Sequence, residues 1–167
     1  MIQINKFLVV GGDLRNVELV KLLKEDGKTV YTYGMNINSS EPLEKILEDV
    51  EVVIGPIPFS RDGLTVNSTF VESKILIKDL LGKIKEKTLI AGNISEDIIK
   101  MTQKYNIKVI DVMKNEKLAI LNTIATAEGT IELMIANTNT IIFDSNELIL
   151  GFGRVAKTLA NRLKGLV

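Results

Sequence analysis

Phe7-Leu8-Val9-Val10-Gly11-Gly12-Asp13 is the stretch whose reading decides the fold. A short apolar run stops at two glycines and an aspartate, and the residues that follow place Leu14, Val17, Val20 and Leu23 at helical spacing. That is strand, tight turn, helix, with Asp13 suited to the N-cap. Gly27 stands where the helix should stop, and Thr29-Val30-Tyr31-Thr32-Tyr33 reads as a second strand.

The rhythm repeats outward. Ser40 is expected to cap a helix with Pro42 in its first turn and Leu43, Ile46 and Leu47 on one face, and Val52-Val53-Ile54 follows as a strand. The loop 55–63 carries two of the three prolines, Pro56 and Pro58, which bar helix and central-strand pairing there. Lys74 to Leu81 gives a short extended piece and a helical turn. Thr88-Leu89-Ile90-Ala91 makes a strand closed by Gly92-Asn93, Ser95 caps a helix bearing Ile98, Ile99, Met101 and Tyr105, and Lys108-Val109-Ile110-Asp111 makes a fifth strand.

Buried-type strands alternating with helices predict an α/β fold, a Rossmann-like or flavodoxin-like parallel sheet with helices on both faces. Ligands of such sheets bind beyond the strand C-termini, here the loops 11–15, 55–63, 92–95 and the segment after Asp111. From Thr126 a longer helix is expected, with Ile131, Met134 and Ile135 as its stripe, ending at Asn137-Thr138-Asn139-Thr140. Then Glu147-Leu148-Ile149-Leu150 reads as a strand running into Gly151-Phe152-Gly153-Arg154-Val155-Ala156, with Val155, Leu159 and Leu163 on one side of a following helix. We therefore expect a first domain over 1–138, including a connecting helix, and over 139–167 the first strand and helix of a second, dinucleotide-binding domain.

Composition removes several chemistries. Among 167 residues there is no histidine and no cysteine, so imidazole bases, thiol nucleophiles, disulfides and His or Cys metal sites are excluded and no metal site is expected. Proton transfer is left to carboxylates, Lys, Tyr, water or a cofactor. Lys plus Arg equals Asp plus Glu at 21 each, which offers no global basic field for nucleic acid or an anionic membrane. No apolar run approaches the ~20 residues of a membrane span, and residues 1–6 lack the layout of a secretory signal. The expected place is the cytoplasm.

Gly151-x-Gly153-x-x-Ala156 fits the dinucleotide fingerprint: Gly151 permits the tight turn, Gly153 lets the backbone approach a pyrophosphate, and a small Ala156 lets helix pack on strand. A plain strand-to-helix turn is the alternative. Gly11-Gly12-Asp13 lacks the third small residue. Its backbone N–H groups with Arg15 could hold a carboxylate, or the turn is simply capped by Asp13. Asn122, Thr126 and Gly129 share one face if helical. Thr126 is alternatively an N-cap with Glu128 in the first turn.

Taken together, Asn122-Thr123-Ile124-Ala125-Thr126-Ala127-Glu128-Gly129, Gly11-Gly12-Asp13 and Leu150-Gly151-Phe152-Gly153-Arg154 resemble the family of dipicolinate synthase A-subunits, with Thr123 in place of a Ser and Ala125 in place of a Pro. The resemblance implies a two-domain oxidoreductase with an N-terminal substrate domain and a C-terminal domain for NAD or NADP. This chain would be cut early in the latter and inactive alone. The implied reaction oxidises a dihydro- or hydroxytetrahydro-dipicolinate intermediate to dipicolinate, in the mother cell of a sporulating bacterium and together with the flavoprotein-like B-subunit of dipicolinate synthase. The dicarboxylate substrate would be held by Gly12, Arg15, Ser60, Asn93, Asn122, Thr123 and Thr126. Glu128, Asp13 or water would take the proton, and Gly151, Gly153, Arg154 and Ala156 would hold the cofactor.

Two other readings stand beside this one. A non-catalytic α/β ligand-binding or dimerisation module with a receiver-like fold would explain the sheet, although receivers cluster acids after the first strand where this chain has Gly11, Gly12 and one Asp13. Another two-domain amino-acid or hydroxy-acid dehydrogenase would lack the 122–129 segment. A strand and helix without their sheet can swap between chains, so a homodimer is among the expected partners.

Overall fold

The computed structural model describes residues 4–37, 39–70 and 74–166. Residues 1–3, which carry part of the no-signal reading, lie outside the described residues. The chain divides into two compact units, residues 1–114 and 115–167.

In the first unit, β1 (Lys6–Val10), β2 (Thr29–Tyr33), β3 (Val52–Ile54), β4 (Thr88–Ala91) and β5 (Lys108–Asp111) form one parallel sheet of order β2-β1-β3-β4-β5. All five strands expected of this part of the chain are present. Parallel order demands a crossover between strands, supplied by α1 (Leu14–Glu25), α2 (Leu43–Asp49), α3 (Ile77–Lys83) and α4 (Glu96–Gln103). β1 is central, and the period of two divides its side chains between opposite faces. Leu8 and Val10 join Val53, Leu89, Ile46, Leu81 and Ile98 on one side, while Val9 meets Val20, Val30 and Met35 on the other. Leu8, Val9 and Val10 are fully buried, each such side chain contributing about 1.5–3 kcal/mol.

Local chemistry sets the ends. After α1 the Gly27 N–H donates to the Lys24 carbonyl and the Lys28 N–H to that of Leu23, closing the helix at the glycine expected to stop it. One expectation fails at α2. Its N-cap is Pro42, not Ser40, and no side chain caps it.

The second unit holds α5 (Glu116–Asn137) and α6 (Arg154–Leu163). Ala127 of α5 packs with Leu159 and Leu163 of α6, and Ile131, Met134, Ile142 and Ile149 line the contact. Three sequence expectations change here. α5 starts ten residues before Thr126, because Asn115 supplies the cap by accepting from the Leu118 N–H. It also belongs to the compact unit of α6, so the first unit ends at Lys114 where the sequence reading carries the first domain to 138. Third, residues 147–150 join no ladder. Burial alternates along them as in a strand, with Leu148 and Leu150 85% and 89% exposed and Ile149 packed inward, but an extended segment becomes a strand only against a partner. The turn and helix of the expected strand-turn-helix are therefore present without its strand.

With 22 residues and a mean hydropathy of 1.3, α5 is long and apolar enough to cross a membrane by length and composition, contrary to the expectation that no such stretch exists. That expectation rests on uninterrupted apolar runs, whereas the average tolerates Glu128 and Glu132 between apolar neighbours. In this structure Glu128 is paired with Arg162 of α6 at 3.0 Å.

Candidate functional site

A sheet of order 2-1-3-4-5 has its topological switch point between β1 and β3, where the two connections leave in opposite directions and open a crevice. The loops after β1 and β3 meet there. Asp13, the N-cap of α1, accepts the Arg15 N–H at 3.0 Å, and its own N–H donates to Asn16 Oδ1 at 3.3 Å. The Arg15 guanidinium donates from Nη2 to Asp13 Oδ2 at 2.7 Å and to the Ile57 carbonyl at 2.7 Å, joining α1 to the loop after β3. The hydrogen bond from Arg15 holds the Asp13 carboxyl below its usual range, and Asp13 in turn raises the Arg15 guanidinium. The Arg15 side chain keeps 58% of its surface exposed, so this cation remains available to a ligand.

Of the two readings left open for the Gly11-Gly12 turn, capping is the one observed. The Gly11 N–H donates to the Tyr33 carbonyl, the Gly12 N–H to that of Asn67, and the Gly12 carbonyl accepts from the Thr69 N–H. The expectation that Gly12 offers its N–H to a carboxylate is corrected: the 66–69 segment has taken the position a ligand would need. Gly12 serves by shape. At φ +102° a Cβ there would lie 2.1 Å from Asn16 Oδ1, so only glycine keeps the Asn16 cap in place. Asp13, expected as a proton carrier, is committed to Arg15 and to the cap, and a carboxylate so held is a poor base.

Ser60 organises its own loop. Its hydroxyl donates to the Thr65 carbonyl at 2.7 Å and accepts from the Gly63 N–H. Asp62 accepts from the N–H groups of Thr65 and Leu64, which hold its carboxyl far below the ordinary range. Asn93 closes the turn after β4 at φ +55°, its side chain exposed, and the neighbouring Gly92 carbonyl accepts from the Phe59 N–H. The structure thus brings the loops of Asp13, Arg15, Ser60 and Asn93 to one end of the sheet.

Sequence reasoning misses what fixes Asn93. The Asp111 carboxylate at the end of β5 accepts three backbone N–H groups, from Asn93 at 3.0 Å, Ile94 at 3.1 Å and Met113 at 3.0 Å. An aspartate closing the last strand opposite a Gly-Asn turn is the available signal. Asn16 escapes too, because a capping box is usually read from Glu or Gln at that position.

The other candidates lie in the second unit, on α5 and at the start of α6. Thr123 is buried and its Oγ1 meets Thr158 Oγ1 at 2.7 Å, which makes it a helix-to-helix contact. Thr126 donates to the Asn122 carbonyl inside α5, so its N-cap reading is corrected. Glu128 is likewise mid-helix, bound to Arg162, not in a first turn. Asn122, Thr126 and Gly129 do share one exposed flank of α5. At the start of α6, Gly151 has φ +114°, a glycine conformation, and Gly153 is the N-cap with no side-chain hydrogen bond to the first turn. A Cβ on Gly153 would meet nothing within 4 Å, so the chain leaves room at that N-terminus. Arg154 pairs with Glu116 at 3.0 Å, and Ala156 is half-buried. Among the described residues no cluster of acids is arranged to hold a metal ion.

The sheet order and its switch point define a Rossmann-like α/β domain. Its family follows from comparison: residues 6–113 match the N-terminal domain of the dipicolinate synthase A-subunit, and the chain belongs to that family. It is similar to the dipicolinate synthase A-subunit of Bacillus subtilis, 26% identical over 96% of this chain and 58% of the relative. Crystal structures share the fold: the dipicolinate synthase A-subunit from Bacillus subtilis with a TM-score of 0.75 and 23% identity, covering 99% of this chain and 59% of that one, and its counterpart from Bacillus halodurans with 0.79 and 23%, covering 97% and 59%. The chain spans somewhat under three fifths of the length of these relatives.

Proposed function

We propose that this chain carries the substrate domain of a dipicolinate synthase A-type oxidoreductase, together with the phosphate-binding turn of its NAD or NADP domain. The observation that carries the proposal is Arg15. It is a half-exposed guanidinium at the β1/β3 switch point, fixed by Asp13 and by the Ile57 carbonyl, where an open α/β sheet presents its ligands. A planar dicarboxylate suits such a cation, which can pair with a carboxylate in bidentate fashion. The Asn93 amide next to the same loop offers further donors.

Gly151, Gly153, Arg154 and Ala156 would hold the pyrophosphate of the dinucleotide, the open Gly153 leaving space and the uncapped α6 supplying N–H groups and a favourable dipole. When bound there, a dinucleotide would supply the hydride acceptor. The chain's own part is to bind and orient a dihydrodipicolinate, or a hydroxytetrahydro-dipicolinate that first loses water, whose two-electron oxidation by loss of a hydride and a proton yields the aromatic dicarboxylate. With Asp13 committed to Arg15 and Glu128 to Arg162, the ring proton passes to water. In this reading the protein works in the cytoplasm of a sporulating mother cell with the B-subunit of dipicolinate synthase, and residues 1–167 alone do not turn over.

The proposal is tested by calorimetric titration of dipicolinate, NADH and NADPH into the 167-residue chain. Dipicolinate should bind, and Arg15→Ala should weaken it roughly 10- to 100-fold, the loss of a charge-assisted pair of about 1.5–3 kcal/mol. Silence with dipicolinate and both dinucleotides would leave the non-catalytic module as the better reading.

A further inference from the structure

We infer that Arg61, in the loop after β3, is the second cation of the switch-point crevice and pairs with one carboxylate of a dicarboxylate ligand while Arg15 pairs with the other. The inference rests on the substrate-domain reading and deepens it. Phe59, fully buried, and Asn67 close the base of this loop, the Asn67 N–H donating to the Phe59 carbonyl at 2.9 Å. The Asn67 carbonyl in turn accepts the Gly12 N–H at 2.9 Å, so the loop base is bonded to the residue before Asp13. Two residues ahead of that base, the Ile57 carbonyl holds Arg15 itself. The return arm is fixed as well, since the Val66 N–H donates to the Ile75 carbonyl and the Ile77 N–H to that of Leu64. Arg61 is thus carried on a short closed loop whose base lies against the turn of Asp13 and Arg15.

The charges of this loop are unequally used. The Asp62 carboxylate accepts from the Leu64 and Thr65 N–H groups and from the Thr65 hydroxyl, so it is engaged with its own loop. Arg61 is exposed and, among the described residues, makes no hydrogen bond and no ion pair. Its charge still acts on Asp13, whose carboxyl it helps to hold in the ionised form. Arg15 is the reverse case: Nε and Nη2 are divided between Asp13 and the Ile57 carbonyl, which leaves Nη1 to serve one carboxylate and not two. A second carboxylate that loses water without finding a cation is costly. Two guanidiniums at one crevice, with a counterion on only one of them, form the arrangement that a dianion completes.

Calorimetric titration of dipicolinate, and of picolinate with its single carboxylate, into the 167-residue chain in buffer free of divalent cations tests this. Wild type should bind dipicolinate roughly 10-fold more tightly than picolinate. Arg61→Ala should remove that preference, weakening dipicolinate roughly 10-fold and leaving picolinate within about twofold, and Arg61→Lys should recover part of it. Thermal unfolding at the wild-type Tm is expected for both variants, because the side chain has no partner to lose. A wild-type chain that binds dipicolinate while Arg61→Ala keeps the full preference would overturn this inference and leave the substrate-domain reading standing. Equal weakening of both ligands would overturn it too, since that marks a diffuse field and not a paired carboxylate. A wild-type chain that binds neither ligand would remove both readings together.

Discussion

Replacing Gly12 by alanine tests the reading of the switch-point turn most directly. The residue sits at φ +102°, where an L side chain costs roughly 1–3 kcal/mol. The new Cβ would also stand 2.1 Å from Asn16 Oδ1 and 2.2 Å from Asn16 Cγ, too close for either to remain. Asn16 must then swing away and abandon the Asp13 N–H, at about 1 kcal/mol for a lost cap. Together these predict a loss of about 2–4 kcal/mol, or a fall in Tm on the order of 10–20 °C for a unit of this size. Thermal and urea unfolding of the chain measure it. Gly27→Ala is the control: φ is +73° there and a Cβ meets nothing within 4 Å, so only backbone strain of about 1 kcal/mol is expected. Asn16→Ala in the Gly12→Ala background should recover part of the loss by removing the clash. A change below about 0.5 kcal/mol in Gly12→Ala, or equal effects at Gly12 and Gly27, would refute the claim that the turn is held by close packing against Asn16.

Further outcomes follow from the same geometry. Asp111→Ala frees three backbone donors and should cost about 2–4 kcal/mol in urea unfolding, with Asp111→Asn intermediate, since its single carbonyl still accepts. Thr123→Ala removes the buried hydroxyl contact with Thr158 and should speed hydrogen exchange of α6 amides by several-fold, about 1 kcal/mol of protection, leaving β1 to β5 unchanged. The Asp13 carboxyl has a folded pKa below its unfolded value near 3.9, so its stabilisation is fully present above about pH 4 and is lost as pH falls through the folded pKa. Asp13→Asn should therefore show a shallower fall in stability than wild type between roughly pH 4 and 2, measured by urea midpoints at each pH. Parallel curves would show that Asp13 gains nothing from Arg15.

The sequence alone determined the order of elements in the first unit, because each strand is a short apolar run bounded by glycine or a cap and each helix has its own stripe. It also determined that imidazole and thiol chemistry are absent, and that a positive-φ glycine turn opens the last helix. These features are local, and propensity, capping and periodicity report them within a few residues. What only the tertiary structure decided depends on partners distant in the chain. Arg15 reaches the Ile57 carbonyl, the Gly12 N–H is consumed by Asn67, and Asp111 ties the Gly92-Asn93 turn, none of which any spacing rule announces. The 122–129 segment reads in sequence either as one helical face of Asn122, Thr126 and Gly129 or as a helix start capped by Thr126. Packing makes it the middle of α5, with Thr123 and Glu128 spent on α6. Residues 147–150 carry the pattern of a strand in sequence and remain unladdered in the structure, because a strand is a relation between two segments and its alternating side chains describe only one of them.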